Sequence, residues 1–156
     1  MIALVLFSHG SLLCGSGEAL EAHASRLQKP GGWDRVEIGY LNYSEPLLAQ
    51  TVEELVAEGV SEVHILPYFL APGYFVQHAL PNALKPLRER FPTLRFTVAP
   101  AIGYDTRLAD ALLAAASEAK ESPAWREPLE RASASCRNRS DCPLYNTPSC
   151  PHGQPV

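Results

Sequence analysis

Two hydrophobic periods alternate along the first 120 residues of this chain. Ile2 to Phe7 is an unbroken apolar run, as expected of a strand buried on both faces. Ser16 then stands as a cap for a helix over 17–28, with Ala19, Leu20, His23, Ala24 and Leu27 on one stripe, and Lys29-Pro30-Gly31-Gly32 ends it. Val36, Ile38 and Tyr40 alternate across Arg35 to Leu41, which predicts a second strand. Ser44 before Glu45-Pro46 predicts a cap followed by a first helical turn, leading into a helix over Leu47 to Glu58 that Gly59 closes. A third strand is expected over Val63 to Pro67. A third helix includes Asn82 to Arg90 and starts near His78 or Leu80. A fourth strand is expected at Leu94 to Val98, and a fourth helix, capped by Asp105 or Thr106, runs to about Lys120.

A β-α-β-α-β-α-β-α order with short connections predicts an α/β fold. Its four-stranded parallel sheet is flanked by helices and joined by right-handed crossovers, as in flavodoxin-like or Rossmann-like lobes. Composition changes after Glu121, so the chain divides into an α/β domain over 1–121 and a Cys/Pro-rich C-terminal tail over 122–156, too poor in apolar residues for a core of its own. Hydrophobic residues make up 46% of the 156 and charged ones 19%, which is a globular balance. The net charge of −4 gives no electrostatic reason to expect nucleic acid or an anionic membrane as partner. The apolar start has no basic segment before it and no long apolar run after it, which argues against a signal peptide or membrane span and makes a cytoplasmic protein the expectation.

Groups that emerge at the carboxyl ends of parallel strands converge on one crevice, and two stretches place chemistry there. In Leu4-Val5-Leu6-Phe7-Ser8-His9-Gly10-Ser11, His9 follows the first strand and Gly10 lets backbone approach a ligand closely. In the run from Leu66 to Pro81, the third strand ends in an aromatic turn with Tyr68, Phe69, Tyr74 and Phe75, and His78 follows near the helix start. Two histidines facing one crevice can bind a metal or move a proton. Strand-end backbone hydrogen bonds are the alternative for His9, whose place at the carboxyl edge of the first strand favours function, and exposure at a helix start accounts equally for His78. Most of the aromatic density suits a core, and part of it suits the wall of a flat apolar ligand. Glu45, on the same edge, can take protons or steer a cation; as a first-turn carboxylate it is also explained by the helix dipole. His23 and His64 fall inside a helix and a strand and are read as structural or solvent-facing.

Two other chemistries are disfavoured. Histidine phosphatases carry an arginine directly before such a His-Gly pair; here Ser8 stands in that place, and bidentate phosphate recognition loses its donor. Cys14-Gly15-Ser16-Gly17-Glu18-Ala19-Leu20 has Leu20 where a dinucleotide loop has its third glycine, and Glu18 would face the phosphates. Three of the four cysteines, Cys136, Cys142 and Cys150, lie in the tail, in a spacing that matches no standard zinc finger. With His152 or Cys14 as a fourth ligand they can hold an iron–sulfur cluster or Zn²⁺; a disulfide or incidental cysteines are the alternative.

The opening Leu-Phe-Ser-His-Gly-Ser, the segment Gly39-Tyr40-Leu41-Asn42-Tyr43-Ser44-Glu45-Pro46, and Leu66-Pro67-Tyr68-Phe69-Leu70 with Pro72-Gly73 and Leu80-Pro81 resemble the small CbiX/SirB chelatases. These enzymes insert cobalt or iron into sirohydrochlorin. The resemblance covers about residues 1–120 and implies a chelatase-like lobe, a tetrapyrrole substrate and Co²⁺ or Fe²⁺ as substrate metal, in cobalamin or siroheme biosynthesis. It also implies a metal held between two histidines, one after the first strand and one after the third. His9 matches the first. The pattern Gly-x-His-x₅-Pro puts Phe75 where the second is expected, and His78 lies one helical turn further on. On this reading His9 and His78 bind the metal, and His9, assisted by His78 or Glu45, accepts pyrrole protons. Some longer relatives carry a cysteine-rich iron–sulfur segment at the C-terminus, which this tail resembles. One four-stranded lobe supplies half of a two-lobed cleft, so a homodimer is expected. A non-catalytic metal- or tetrapyrrole-binding protein, or a redox sensor on the same fold, is the alternative.

Overall fold

The computed structural model describes residues 1–11, 17–28, 32–119 and 121. Four parallel strands, β1 (Ile2–Ser8), β2 (Arg35–Tyr40), β3 (Glu62–Pro67) and β4 (Arg95–Val98), form one sheet in the order β2-β1-β3-β4. Helices α1 (Glu18–Gln28), α2 (Leu48–Ala57) and α3 (Leu80–Arg90) connect them, with one π-helical turn, Phe75–Ala79, leading into α3. These elements lie in a unit made of residues 1–10 and 17–103; α4 (Thr106–Ser117) belongs to a second unit.

The period-two alternation of β1 sorts its side chains into two cores. Ala3, Val5 and Phe7 join Val63 and Ile65 of β3 against Leu48, Val52 and Leu55 of α2 and Leu80, Leu84 and Leu87 of α3. Leu4 and Leu6 face the other way, with Val36 and Tyr40 of β2, against Leu20 and Ala24 of α1. Burial of β1 on both faces is why it reads as a continuous apolar run.

Two helix starts depart from the expectation. Ser44 does not cap α2: its N-cap is Leu47, whose N–H donates to Gln50 Oε1 at 2.8 Å. The chain first swings back along β2, where Tyr40 N donates to the Pro46 carbonyl at 2.9 Å and Tyr40 bridges Leu47 in parallel. That sheet pairing holds residues 41–46 in a loop, and Glu45 consequently lies before the helix rather than in its first turn. The third helix starts early and wide. Pro81 has no N–H for the Gln77 carbonyl and its ring crowds that group, so the turn before it opens, with Leu80 N on Phe75 O. In the second unit, Asp105 caps α4 as expected, accepting from Arg107 N at 2.8 Å, and the helix ends at Ser117.

At the amino edge of the sheet Glu62 is buried and ion-paired with Arg95, its register partner on β4, and its carboxylate lies 2.7 Å from His64 Nε2. The Arg95 hydrogen bond holds the Glu62 carboxyl below its ordinary range. The Arg107 side chain likewise pushes Asp105 down to about 2. A carboxylate with a depressed folded-state pKa adds stability above its unfolded value and loses it as pH falls through the folded value. Thermal unfolding is therefore expected to move to lower temperature between about pH 4 and pH 2, the unfolded carboxylate value being near 4. Glu62→Gln is expected to flatten that dependence, which a series of melts at stepped pH measures; an unaltered slope in the variant contradicts the assignment.

Candidate functional site

β1 and β3 are neighbours whose chains depart in opposite directions, β1 through α1 toward β2 and β3 through α3 toward β4. This is the topological switch point of the sheet, and the crevice outside the carboxyl ends of its strands is where open α/β sheets take ligands. His9 leaves β1 at that edge, and the aromatic turn leaves β3 beside it.

The backbone here is closely packed. Leu41 N donates to Ser8 O at 2.9 Å, Asn42 N to His9 O at 3.2 Å and Tyr68 N to Phe7 O at 2.7 Å, extending the sheet by one rung past its strands. Gly10 turns the chain away at φ +85°, and a Cβ on it would lie 1.8 Å from the Asn42 carbonyl oxygen. No side chain fits there, which is the physical reason for glycine after His9.

His9 is exposed and sits among rings. Its imidazole centroid is 5.1 Å from Phe75, with the planes 26° apart, and 5.9 Å from Phe69. Phe69 and Phe75 stack on each other at 5.7 Å, and fully buried Phe7 backs Phe69 at 6.0 Å. The ring next to His9 is thus Phe75. The wide turn sends His78 elsewhere: it is exposed and packs on Tyr74, ring centroids 5.5 Å apart. Tyr74 meets Phe75 edge-on at 5.9 Å. Glu45 is exposed, in the loop after β2. The histidines read as structural have partners of their own: His23 against Tyr68 at 5.7 Å, and His64 against Trp33 at 4.8 Å and Glu62. Among the described residues no group of three His, Cys, Asp or Glu side chains converges to hold a metal. Cys14, Cys136, Cys142, Cys150 and His152 lie outside the described residues.

The loops after β2 and β3 carry exposed apolar side chains at the same edge of the sheet. Tyr43, Leu70 and Tyr74 are 63%, 56% and 68% exposed, a concentration of large uncovered apolar side chains on the loops after β2 and β3. Such a surface suits a flat, largely apolar ligand, and a neutral imidazole within it can ligate a divalent transition metal or accept a proton. The Asn42 Oδ1, in the loop after β2, is buried without a hydrogen-bond partner.

A parallel sheet with strand order 2-1-3-4 and an exposed imidazole at its switch point defines a doubly wound α/β protein. The family model for CbiX matches residues 3–119, and the chain belongs to that family. A sirohydrochlorin cobaltochelatase of Methanococcus aeolicus is 38% identical over 84 residues, which cover 54% of this chain and 59% of that protein. A sirohydrochlorin cobaltochelatase of Sulfolobus acidocaldarius is 29% identical over 119 residues, covering 76% of this chain and 93% of the relative. Among solved structures, SirB from Bacillus subtilis with Fe³⁺ superposes with a TM-score of 0.67 at 21% identity, over 72% of this chain and 45% of SirB. The sirohydrochlorin chelatase SirB from Bacillus subtilis subspecies spizizenii in complex with cobalt gives 0.70 at 18% identity, over 81% and 58%. The chain thus spans roughly half the length of these structures and of several relatives, and the structural likeness establishes the fold.

Proposed function

We propose that this protein inserts a divalent metal, Co²⁺ or Fe²⁺, into sirohydrochlorin or a related tetrapyrrole, as a lyase of cobalamin or siroheme biosynthesis. The observation that carries this is the exposed His9 imidazole among Phe69 and Phe75 at the switch point, in a chain of the CbiX family whose relatives include sirohydrochlorin cobaltochelatases.

Insertion requires a loosely held metal, a macrocycle placed over it and acceptors for two pyrrole protons. His9 Nδ1 or Nε2 ligates the metal, releases it to the four pyrrole nitrogens and then takes up a proton. The exposed rings of Tyr74 and Phe75 pack on the macrocycle face, where stacking on flat π-systems is favourable. His78, exposed against Tyr74, and Glu45, exposed in the loop after β2, assist as proton acceptors. A homodimer supplies the facing half of the cleft, since one four-stranded lobe offers only half of it; an active monomer in sedimentation contradicts this. An iron–sulfur cluster or Zn²⁺ on Cys136, Cys142 and Cys150 rests on their sequence clustering; visible absorbance or bound zinc lost on replacing all three with serine supports it.

The identity of the ring at 75 favours a second reading, in which the protein carries metal or tetrapyrrole without inserting one into the other. Anaerobic incubation of sirohydrochlorin and Co²⁺ with and without protein separates the two. Faster appearance of the cobalt-sirohydrochlorin spectrum supports insertion; binding without acceleration supports the carrier.

Phe75→His tests the geometry directly. Two imidazoles sharing one metal at bonds of about 2.1 Å have centroids roughly 5 Å apart, close to the 5.1 Å between His9 and Phe75. The variant is expected to bind Co²⁺ alone about tenfold more tightly, one further ligand being worth about 1.4 kcal/mol or more. Titration calorimetry reads this, and unchanged affinity contradicts the placement of His9 and Phe75 on one metal.

A further inference from the structure

We propose that the outer edge of β2 is a second small-molecule site, apart from the His9 edge. It takes an uncharged planar ligand that presents a donor beside an acceptor, as an adenine-type aminopyrimidine does. The inference stands independently of the metal-insertion reading.

β2 is the first strand of the sheet order and pairs with β1 on its inner side. Beside it lies a cleft of about 510 Å³, within the ordinary range of small-molecule sites. One wall is a stripe of α1, where Glu21, Ala24, Ser25 and Gln28 recur at i, i+3, i+4 and i+7. The other includes three consecutive strand residues, Val36, Glu37 and Ile38. Successive side chains of a strand point to opposite faces, so a cleft that touches all three runs along the outer edge of the strand. The backbone groups turned to that edge belong to the even-numbered residues. Val36 N donates to Gln28 Oε1 at 2.8 Å, Ile38 O accepts from Thr51 Oγ1 at 2.7 Å, and Tyr40 N donates to Pro46 O at 2.9 Å.

An open strand edge invites a further strand. This one is closed at both ends. Gln28 holds Val36 N and, through Nε2, Asp34 O at 3.4 Å; at the other end Thr51 and the Pro46–Leu47 segment hold Ile38 O and Tyr40. One rung is left between them, Val36 O and Ile38 N, for which the described residues supply no partner. An extended peptide binds through successive rungs, and these flanks deny it them. A compact ligand needs only the one. It must donate to Val36 O and accept from Ile38 N along a single edge, which an amino group beside a ring nitrogen does. Its apolar faces suit a cleft lined by Ala24, Val36 and Ile38. The carboxylates of Glu21 and Glu37 in the same lining disfavour a phosphate.

The test is amide NMR of the nitrogen-labelled full chain, titrated with adenosine as the probe. The Ile38 N–H resonance is expected to shift, with a dissociation constant of about 0.1 mM, ordinary for a ligand of that size. N6,N6-dimethyladenosine keeps the acceptor and lacks the donor, which leaves Val36 O unpaired; it is expected to bind about tenfold more weakly. AMP is expected to bind more weakly than adenosine, because its phosphate meets the two carboxylates. Ser25 is exposed on α1 at the cleft and has no part in the His9 edge. Ser25→Trp fills the cleft and is expected to abolish the Ile38 shift while metal binding at His9 is unchanged. If tryptophan prevents folding, the comparison of the two nucleosides on the wild type decides alone. An Ile38 resonance unmoved up to the solubility limit of adenosine overturns the site, as do shifts confined to the His9–Phe75 edge. Equal affinity for adenosine and its dimethyl analogue overturns the donor–acceptor pairing, and an AMP affinity equal to or above that of adenosine overturns the assignment to an uncharged ligand.

Discussion

His9→Ala is expected to slow metal insertion by about 10²- to 10⁴-fold, the range for removing a positioned proton-transfer group. The loss should appear in kcat as well as in Co²⁺ affinity, because His9 is assigned both to the metal and to a departing proton. Folding should be unaffected. The His9 side chain is exposed, its backbone carbonyl makes the structural contact to Asn42 N, and the alanine backbone makes the same contact. Phe69 loses one ring neighbour and retains Phe7 and Phe75. A His9→Ala protein with wild-type rates and an unchanged melt would remove His9 from the mechanism.

Gly10→Ala carries the largest expected effect on stability. Its methyl group would lie 1.8 Å from a backbone oxygen that is itself hydrogen-bonded to Ser44 N, so relief requires moving the end of β2 and its loop together. A destabilisation of about 4 kcal/mol or more is expected, a size reserved for clashes and strain that the structure cannot relax. Gly59→Ala is the control. Gly59 also has positive φ, +87°, but a Cβ there meets nothing within 4 Å. That variant isolates the left-handed backbone penalty, about 1–2 kcal/mol for a residue with a side chain. Urea unfolding of both variants measures the difference. Equal effects at the two positions would contradict close packing of Gly10 on Asn42.

Much of this fold is written in local pattern. The apolar run of β1, the alternation of Val36, Ile38 and Tyr40 and the stripe of α1 each reflect burial imposed by one or two faces, and each element forms where its pattern predicts. The start of α2 is different in kind. Ser44-Glu45-Pro46 has the chemistry of a helix start, but the Tyr40–Pro46 hydrogen bond and the Tyr40–Leu47 bridge extend the sheet edge first, and no local preference reveals such pairing. The position of His9 at the carboxyl edge of the sheet was legible because a histidine and a glycine directly follow an unmistakable buried strand. The partner across the crevice was less so. Spacing alone leaves Phe75 and His78 both available, and the wide turn ahead of Pro81 puts Phe75 beside His9 and His78 on Tyr74. The clustering of Cys136, Cys142 and Cys150 is clear in the sequence, and these residues lie outside those the structure describes.

Exposed apolar surface around the site has a thermodynamic corollary. Covering Tyr43, Leu70 and Tyr74 with a flat ligand removes apolar area from water, and binding should carry a negative heat-capacity change. On the proposed reading the rings supply area for a macrocycle, and His9 supplies direction toward the metal.

The central claim is that His9 ligates the substrate metal. Pulsed electron paramagnetic resonance on the Co²⁺-loaded protein tests it most directly, since a coordinated imidazole imprints its nitrogen couplings on the metal signal. The predicted result is one class of histidine nitrogen in the wild type that disappears in His9→Ala. Nitrogen couplings that survive in that variant, or their absence from the wild type, would contradict the account.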